Sequence, residues 1–468
     1  MQRFICNRLF RAACFAAFSL AALPAQDLDS RLADQIAAAL KKSGAPSVSV
    51  AVVRQGKLAF AKGFGSADLA AGRAANADTR YAVGSISKQF TAAALLLLEE
   101  QGRLSLDDSV ARYFPNLTRA GDITIRELLS HTSGYEDYAP QDYLIPDWTT
   151  PIAPLALLER WAAKPLNFEP GTRWQYSNTN YVLAAQIFEK AAGQPLVAFL
   201  RERIFEPLGM RTVADWAATP PGPSDAAAYT RFALGPPRPV AREASGWYFG
   251  AAELAMTPSD LARWDMAFLE HKILSPRSYE EFTREATLPN GDRTHYALGL
   301  SLGEQNGMPT IGHTGEVSGF LASNVLFPSR GGAVVVLTNQ DGINLIGPLS
   351  RQIAATAFGD ARPAASSAAK DTAQVRALLE GLRRGRIDRA LFTANANSYF
   401  TETALRDCRQ SLAALGKLKA VTAASEESRG GMTHRTYRAE FLRKTVTLNI
   451  YVTPQGKYEQ FMVEDQVS

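Results

Sequence analysis

Four residues, Ser85-Ile86-Ser87-Lys88, stand immediately before the apolar run QFTAAALLLLEE. That run is apolar nearly all round, which places its helix inside a domain rather than on a surface. A serine and a lysine three apart at the start of such a helix lie on one face, about one turn apart. The helix N-terminus adds free backbone N–H groups beside them. A serine hydroxyl is a weak nucleophile until a neighbouring base takes its proton. S-x-x-K is one compact way to supply that base. What the chain can do therefore depends on what else its fold brings to this helix start.

With 468 residues the chain is long enough for two domains. Residues 1–25 read as a secretory signal: Arg3, Arg8 and Arg11 form a basic start, Ala12 to Leu23 is apolar, and Pro24-Ala25 offers a small residue at the cut. The apolar stretch is short of the roughly 20 residues that a membrane span needs. The expected location is secreted or periplasmic, with no membrane-crossing segment left after removal. Losing three arginines and no acid lowers the formal charge from +4 to +1. A near-neutral mature chain argues against nucleic acid as a partner. Cys6 and Cys14 leave with the signal, so Cys408 remains alone and no internal disulfide is expected.

Residues 28–42 read as a surface helix ending before Gly44. Val48, Val50 and Val52 alternate, Arg54-Gln55-Gly56-Lys57 turns, and Leu58 and Phe60 alternate again, which predicts a hairpin. The buried helix runs from about Ser85 to Gln101 and stops at Gly102. Thr124 can cap a short helix to Ser130, Asn180 to Ala192 reads as helix, and so do residues 257–270. Strand patterns return at Tyr296–Leu302, near Thr310–Thr314 and at Val334–Thr338. Early and late strands with helices between them predict an α+β fold: one antiparallel sheet flanked by helices, with a helical insertion. This domain is set at 26–360. A linker at 361–371 leads to a small α+β domain at 372–468, with helices at 373–384 and near 386–394 before strands around Tyr437–Val463. Nothing in that second domain looks catalytic.

Two further short motifs follow Ser85 and Lys88. Tyr176-Ser177-Asn178 comes after the Pro170-Gly171 turn and precedes a helix, and in an extended segment Tyr176 and Asn178 project to one side. His313-Thr314-Gly315 precedes Glu316 and Gly319. Each has an ordinary reading by itself: Ser85 as a cap, Tyr176 as a packing aromatic, His313 as a strand residue. Their order and contexts together argue against the ordinary readings.

Residues of about 30–355 resemble the penicillin-recognising serine hydrolases, which include class C β-lactamases, serine D-alanyl-D-alanine carboxypeptidases and esterase relatives. VGSISKQFTAAALLLLEEQGRLSLDDSVARYFP, ITIRELLSHTSG, FEPGTRWQYSNTNYVLAAQIFEK and GHTGEVSGF carry the likeness. The related class A pattern has S-D-N and K-T-G where this chain has Y-S-N and H-T-G. The resemblance implies a β-lactamase/transpeptidase-like fold with Ser85 as the acylated nucleophile and Lys88 as the group that accepts or relays its proton. Tyr176 would be the partner base and would later protonate the leaving group. Its pKa near 10 must fall for this, or it must work with Lys88. Asn178 would touch the substrate carbonyl region or hold Lys88. His313, Thr314, Gly315 and Glu316 would form a substrate-binding edge, with backbone N–H groups of Ser85 and Glu316 facing the oxyanion.

The implied substrates are small molecules or peptidoglycan-derived: D-alanyl peptides, β-lactams or related amides and esters. An esterase or D-aminopeptidase on the same site, and a penicillin-binding sensor or peptidoglycan-binding protein with little turnover, are the alternatives. His313 stands where class C β-lactamases usually have lysine, and histidine is mostly neutral above about pH 6.5. Gly299-Leu300-Ser301-Leu302-Gly303 matches G-x-S-x-G, but Ser301 lies in a strand pattern rather than at a strand–turn–helix elbow. His131-Thr132-Ser133-Gly134 imitates the third motif and reads as a structural loop. His271, His295 and His434 lack ligand spacing, and no phosphate loop is visible, so neither metal nor cofactor is expected. The aromatic-rich segment 135–172 and Trp247-Tyr248-Phe249 either line the cleft or pack within the domain.

Overall fold

The computed structural model describes residues 25–359, 372–429 and 432–465. The expected signal (apart from Ala25) and the expected linker lie outside these residues. The main sheet has seven strands and is antiparallel throughout. Its order is Arg73–Ala74, Lys57–Asp68, Ser47–Arg54, Gly332–Thr338, Phe320–Phe327, Met308–Val317 and Ser301–Gln305. Early strands therefore pair with late ones, Val50 opposite Val336. The predicted hairpin turns on Gln55 (φ 51°) and Gly56 (φ 70°), the double positive φ of a type I′ turn.

Both faces of this sheet are covered, which is why Ser47–Val53 is buried without a break. Val48, Val50 and Val52 meet the helices Ala25–Ser43 and Ile346–Phe358 through Leu32, Ile36 and Ile353. Ala51 and Val53 face the other way, into the large helical core. At the centre of that core lies the helix Ser87–Glu100, buried from Ser87 through Leu98. Alanine and leucine favour helix, and each buried leucine is worth about 2 kcal/mol. Gly102 (φ 67°) ends it as expected, donating to the Glu99 carbonyl at 2.9 Å. The helices Asn178–Ala192, Leu196–Leu200 and Pro276–Thr283 pack around it. Thr124 caps Ile125–Leu129 in a full capping box with Glu127.

Three local expectations differ from the structure. Ser85 lies in a single 3-10 turn, Gly84–Ile86, and the α-helix proper begins at Ser87. The helix predicted from Asn180 begins at Asn178, so the Y-S-N motif runs into it. Tyr296–Leu302 is not one strand. Positive φ at His295 (55°) and Gly299 (73°) bends the chain, and the strand starts at Ser301. A Cβ on Gly299 would come within 2.9 Å of the Lys88 carbonyl oxygen and the Tyr181 hydroxyl, so glycine lets this bend press onto the central helix.

Residues 372–429 and 432–465 build an antiparallel four-stranded sheet, Leu418–Arg429, Met432–Phe441, Thr445–Val452 and Tyr458–Asp465 in sequence order (a meander), with its own apolar core. The helix predicted near 386–394 is instead a 3-10 turn, Arg389–Leu391, followed by a short helix, Ala394–Tyr399. A helix beyond the expected elements, Glu402–Ala414, follows; Thr401 caps it and Leu405, Cys408 and Leu412 mark its inner face. This unit is joined to the larger one by polar contacts. Gln460 bonds Asp142 on both its amide atoms, the Tyr143 hydroxyl donates to the Glu459 carbonyl at 2.6 Å, and Arg238 pairs with Asp407. No helix among the described residues is long and apolar enough to cross a membrane.

Candidate active site

Two glycines bring the Ser85 turn against the strand Met308–Val317. A Cβ on Gly84 (φ +53°) would lie 2.6 Å from the Glu316 nitrogen, and one on Gly315 would strike the Val83 carbonyl oxygen at 1.9 Å. With neither Cβ present, the backbones of Ser85 and Glu316 meet at the wall of a cleft of about 560 Å3. Ser85, Tyr176, Asn178, His313, Thr314, Gly315 and Glu316 all line it. Lys88 lies directly behind, with no exposed surface.

The Lys88 Nζ has three neighbours: Ser85 Oγ at 2.9 Å, Asn178 Oδ1 at 2.7 Å and the Ala251 carbonyl oxygen at 3.0 Å. Asn178 is fixed in orientation because its Nδ2 donates to Asp137 Oδ1 at 3.1 Å and to the Ala139 carbonyl at 3.3 Å. Burial holds the Lys88 amine well below the ordinary lysine range. Asp137 pulls it back up, and Arg429 adds to the lowering. A neutral amine has two N–H groups and one lone pair. Asn178 Oδ1 and the Ala251 carbonyl can only accept, so they take the two N–H groups and the lone pair is left for the Ser85 hydroxyl. This is the arrangement of a general base.

Tyr176 lines the cleft beside Ser85, whose hydroxyl acts to lower the Tyr176 pKa. Of the two alternatives for Tyr176, a fall of its pKa does not occur: burial raises it, against smaller lowering by Arg429 and by Ser85. Tyr176 is therefore a phenol at neutral pH, which fits the alternative in which it would work with Lys88. His131 does not line the cleft. Its ring stands 4.3 Å from that of Tyr176, and its Nδ1 accepts from the Ser177 backbone N–H at 3.2 Å. The H-T-S-G loop thus supports the Y-S-N segment.

His313 is buried, with both ring nitrogens engaged. Nδ1 meets the Thr314 carbonyl oxygen, which can only accept, so Nδ1 carries the proton and Nε2 accepts from the Tyr296 hydroxyl at 2.9 Å. Burial, with Lys88 nearby, lowers its pKa to about 3. Ser301 also lines the cleft, but a strand rather than a helix follows it, so the nucleophile-elbow geometry is absent. Of the two aromatic segments, Tyr143, Trp148 and Tyr248 reach the cleft, whereas Tyr135 is buried and its hydroxyl donates to the Thr118 carbonyl.

Sequence reasoning missed three participants. Asp137 anchors Asn178, Tyr296 holds His313, and Arg429 enters from the C-terminal meander. The Arg429 guanidinium sits 5.0 Å from the Tyr176 ring centroid, and its Nε donates to Asp137 Oδ2 at 3.2 Å. Arg429 is the one lysine or arginine lining the cleft among the described residues, against Asp142, Glu243, Glu316 and Glu464. Burial together with Asp142, Glu464 and Asp341 drives the Glu316 carboxyl well above its usual range, and Glu464 is raised to about 7. Among the described residues no cluster of His, Cys, Asp and Glu could hold a metal ion.

Residues 32–357 match the Beta-lactamase family. The chain belongs to that family. As a member of the β-lactamase family it is a serine hydrolase, and its fold is that of the β-lactamases and transpeptidases. It is 27% identical over 302 residues to the putative penicillin-binding protein PbpX of Bacillus subtilis, covering 64% of this chain and 73% of that one. It is 28% identical over 332 residues to the D-aminopeptidase of Brucella anthropi, covering 66% of this chain and 61% of that enzyme. A D-stereospecific amidohydrolase from Streptomyces sp. superposes with a TM-score of 0.60 at 28% identity, covering 71% of this chain and 99% of that one.

Proposed function

We propose that this β-lactamase-family protein hydrolyses small amides and esters through an acyl-enzyme at Ser85, and that its preferred substrates carry a positively charged amino group near the scissile bond. The neutral Lys88 takes the Ser85 proton as Oγ attacks the carbonyl carbon. The oxyanion is met by the backbone N–H groups of Ser85 and Glu316, each worth about 3 kcal/mol. The Tyr176 phenol gives its proton to the departing nitrogen and is reprotonated from the Lys88 ammonium. Water then attacks the ester, with the same groups moving its proton, and Ser85 is released.

The observation that carries the substrate preference is the crowding of acids in the cleft: four carboxyl side chains, of which burial and mutual repulsion raise Glu316 and Glu464, beside a neutral His313 and an Arg429 already paired with Asp137. An ammonium group relieves repulsion among these acids, whereas a substrate carboxylate adds to it. The likeness to a D-aminopeptidase and a D-stereospecific amidohydrolase supports D-configured amino acid amides. β-Lactams and D-alanyl-D-alanine peptides, which place a carboxylate in the same region, are the second reading, favoured by the likeness to a penicillin-binding protein. We also propose export to the periplasm or beyond, on the basic and apolar pattern of residues 1–25.

The test compares kcat/KM for D-alanine p-nitroanilide and its N-acetyl derivative. The proposal expects the free amine to be preferred at least tenfold. An equal or reversed preference removes the ammonium reading.

A further inference from the structure

We propose that Arg429, delivered by the C-terminal meander, is a positioning residue that completes the active site by holding the Asp137–Asn178 pair that orients Lys88. The proposal rests on Ser85 and Lys88 as nucleophile and base.

An unbroken chain of contacts leads from the second domain to the nucleophile. The Arg429 Nε donates to Asp137 Oδ2 at 3.2 Å. Asp137 Oδ1 accepts from the Asn178 backbone N–H at 2.9 Å and from its Nδ2 at 3.1 Å. Asn178 Oδ1 faces Lys88 Nζ at 2.7 Å, and Nζ faces Ser85 Oγ at 2.9 Å. A second bond reinforces the first. The Ala139 carbonyl accepts from both Arg429 Nη2, at 3.2 Å, and Asn178 Nδ2. Within its own domain Arg429 is held by the Tyr451 hydroxyl at 3.0 Å, and Asp142 of the larger domain lies 3.8 Å from it.

The Asp137 carboxylate is fully buried. A buried carboxylate needs a charge partner, and among the described residues the ion pair Asp137 makes is with Arg429. Without Arg429 the negative charge of Asp137 would act on Lys88 undiminished and favour the ammonium form. With Arg429 present the pair is neutral overall, and the cation adds its own repulsion to the lowering of Lys88. The other groups facing Lys88 do not replace this. Tyr176 and Tyr181 present ring faces, at 4.9 and 5.4 Å, and His131 and His313 are held neutral by burial. The C-terminal domain is on this account part of the catalytic apparatus, which explains why the Leu418–Arg429 strand ends at the cleft.

The experiment follows the acid limb of the pre-steady-state acylation rate, with p-nitrophenyl acetate as probe, in the full-length protein and in Arg429→Gln, Arg429→Lys and Arg429→Gln/Asp137→Asn. The proposal expects Arg429→Gln to move the limb to higher pH by about one unit or more. Arg429→Lys should keep it near the parent position, and adding Asp137→Asn should move it back. A limb that stays in place in Arg429→Gln overturns the proposal, whether or not the rate falls, because a merely structural role lowers the rate alone. Lys88→Met and Ser85→Ala run in parallel. If either acylates at the parent rate, the assignment of nucleophile and base fails, separately from the role of Arg429.

Discussion

Asn178 Oδ1 lies 2.7 Å from Lys88 Nζ, and because Asn178 Nδ2 is tied to Asp137 and the Ala139 carbonyl, the oxygen has no alternative orientation. A lone-pair donor that cannot rotate fixes one N–H of the lysine. The Ala251 carbonyl fixes a second, and the base is aimed at Ser85 by elimination.

Asn178→Asp places a negative charge against Lys88 in a near-isosteric side chain. It should stabilise the ammonium and cost at least about 100-fold in acylation rate at neutral pH, since general-base assistance contributes that much or more. Stopped-flow acylation measures it. A variant within threefold of the parent contradicts the neutral-lysine account.

Tyr176→Phe removes the proton donor to the leaving group. An amide nitrogen must be protonated to depart, while p-nitrophenolate leaves unaided. The loss should reach about 100-fold on an anilide and stay within about tenfold on the p-nitrophenyl ester. Equal losses on both substrates would assign Tyr176 to the attack step instead.

His313→Lys restores a permanent cation beside the cleft, where His313 is neutral because burial lowers its pKa to about 3. Acylation by penicillins, which carry a carboxylate, should become faster. An unchanged rate, read by intact mass against time, sinks the prediction.

Stability should fall between pH 6.5 and 8.5. Asp341 and Glu464 titrate at about 7 in the folded state and Glu253 and Asp265 at about 8, each raised by burial. The unfolded chain has already lost these protons, so the stability they contribute disappears as pH rises through those values. Lys88, lowered, runs the opposite way as a single group. Histidines lowered in the fold act only below about 6.5. Calorimetric Tm values at the two ends of the window check this, and a Tm that rises across it contradicts the assignment.

What the sequence made legible was local or strongly patterned. Ser85 and Lys88 are one turn apart, so their contact follows from helix geometry. Val48, Val50 and Val52 announced a strand, and Gln55-Gly56 its turn. Tyr296 was misplaced because Tyr296, Leu298 and Leu300 alternate as a strand does, while the bend at Gly299 is set by close approach to Lys88 and Tyr181. Asp137 stands in a loop with no periodicity to mark it. Arg429 is 292 residues from its partner Asp137, at the end of a strand whose own alternation says nothing of a distant cleft. The helix Glu402–Ala414 is readable from Thr401 and from the spacing of Leu405, Cys408 and Leu412.

Intact mass spectrometry after brief exposure to p-nitrophenyl acetate tests the central claim most directly. The account predicts a single acetyl adduct on the parent protein, located at Ser85 by peptide mapping and absent from Ser85→Ala. An adduct that persists in Ser85→Ala, or maps to Ser301, contradicts it.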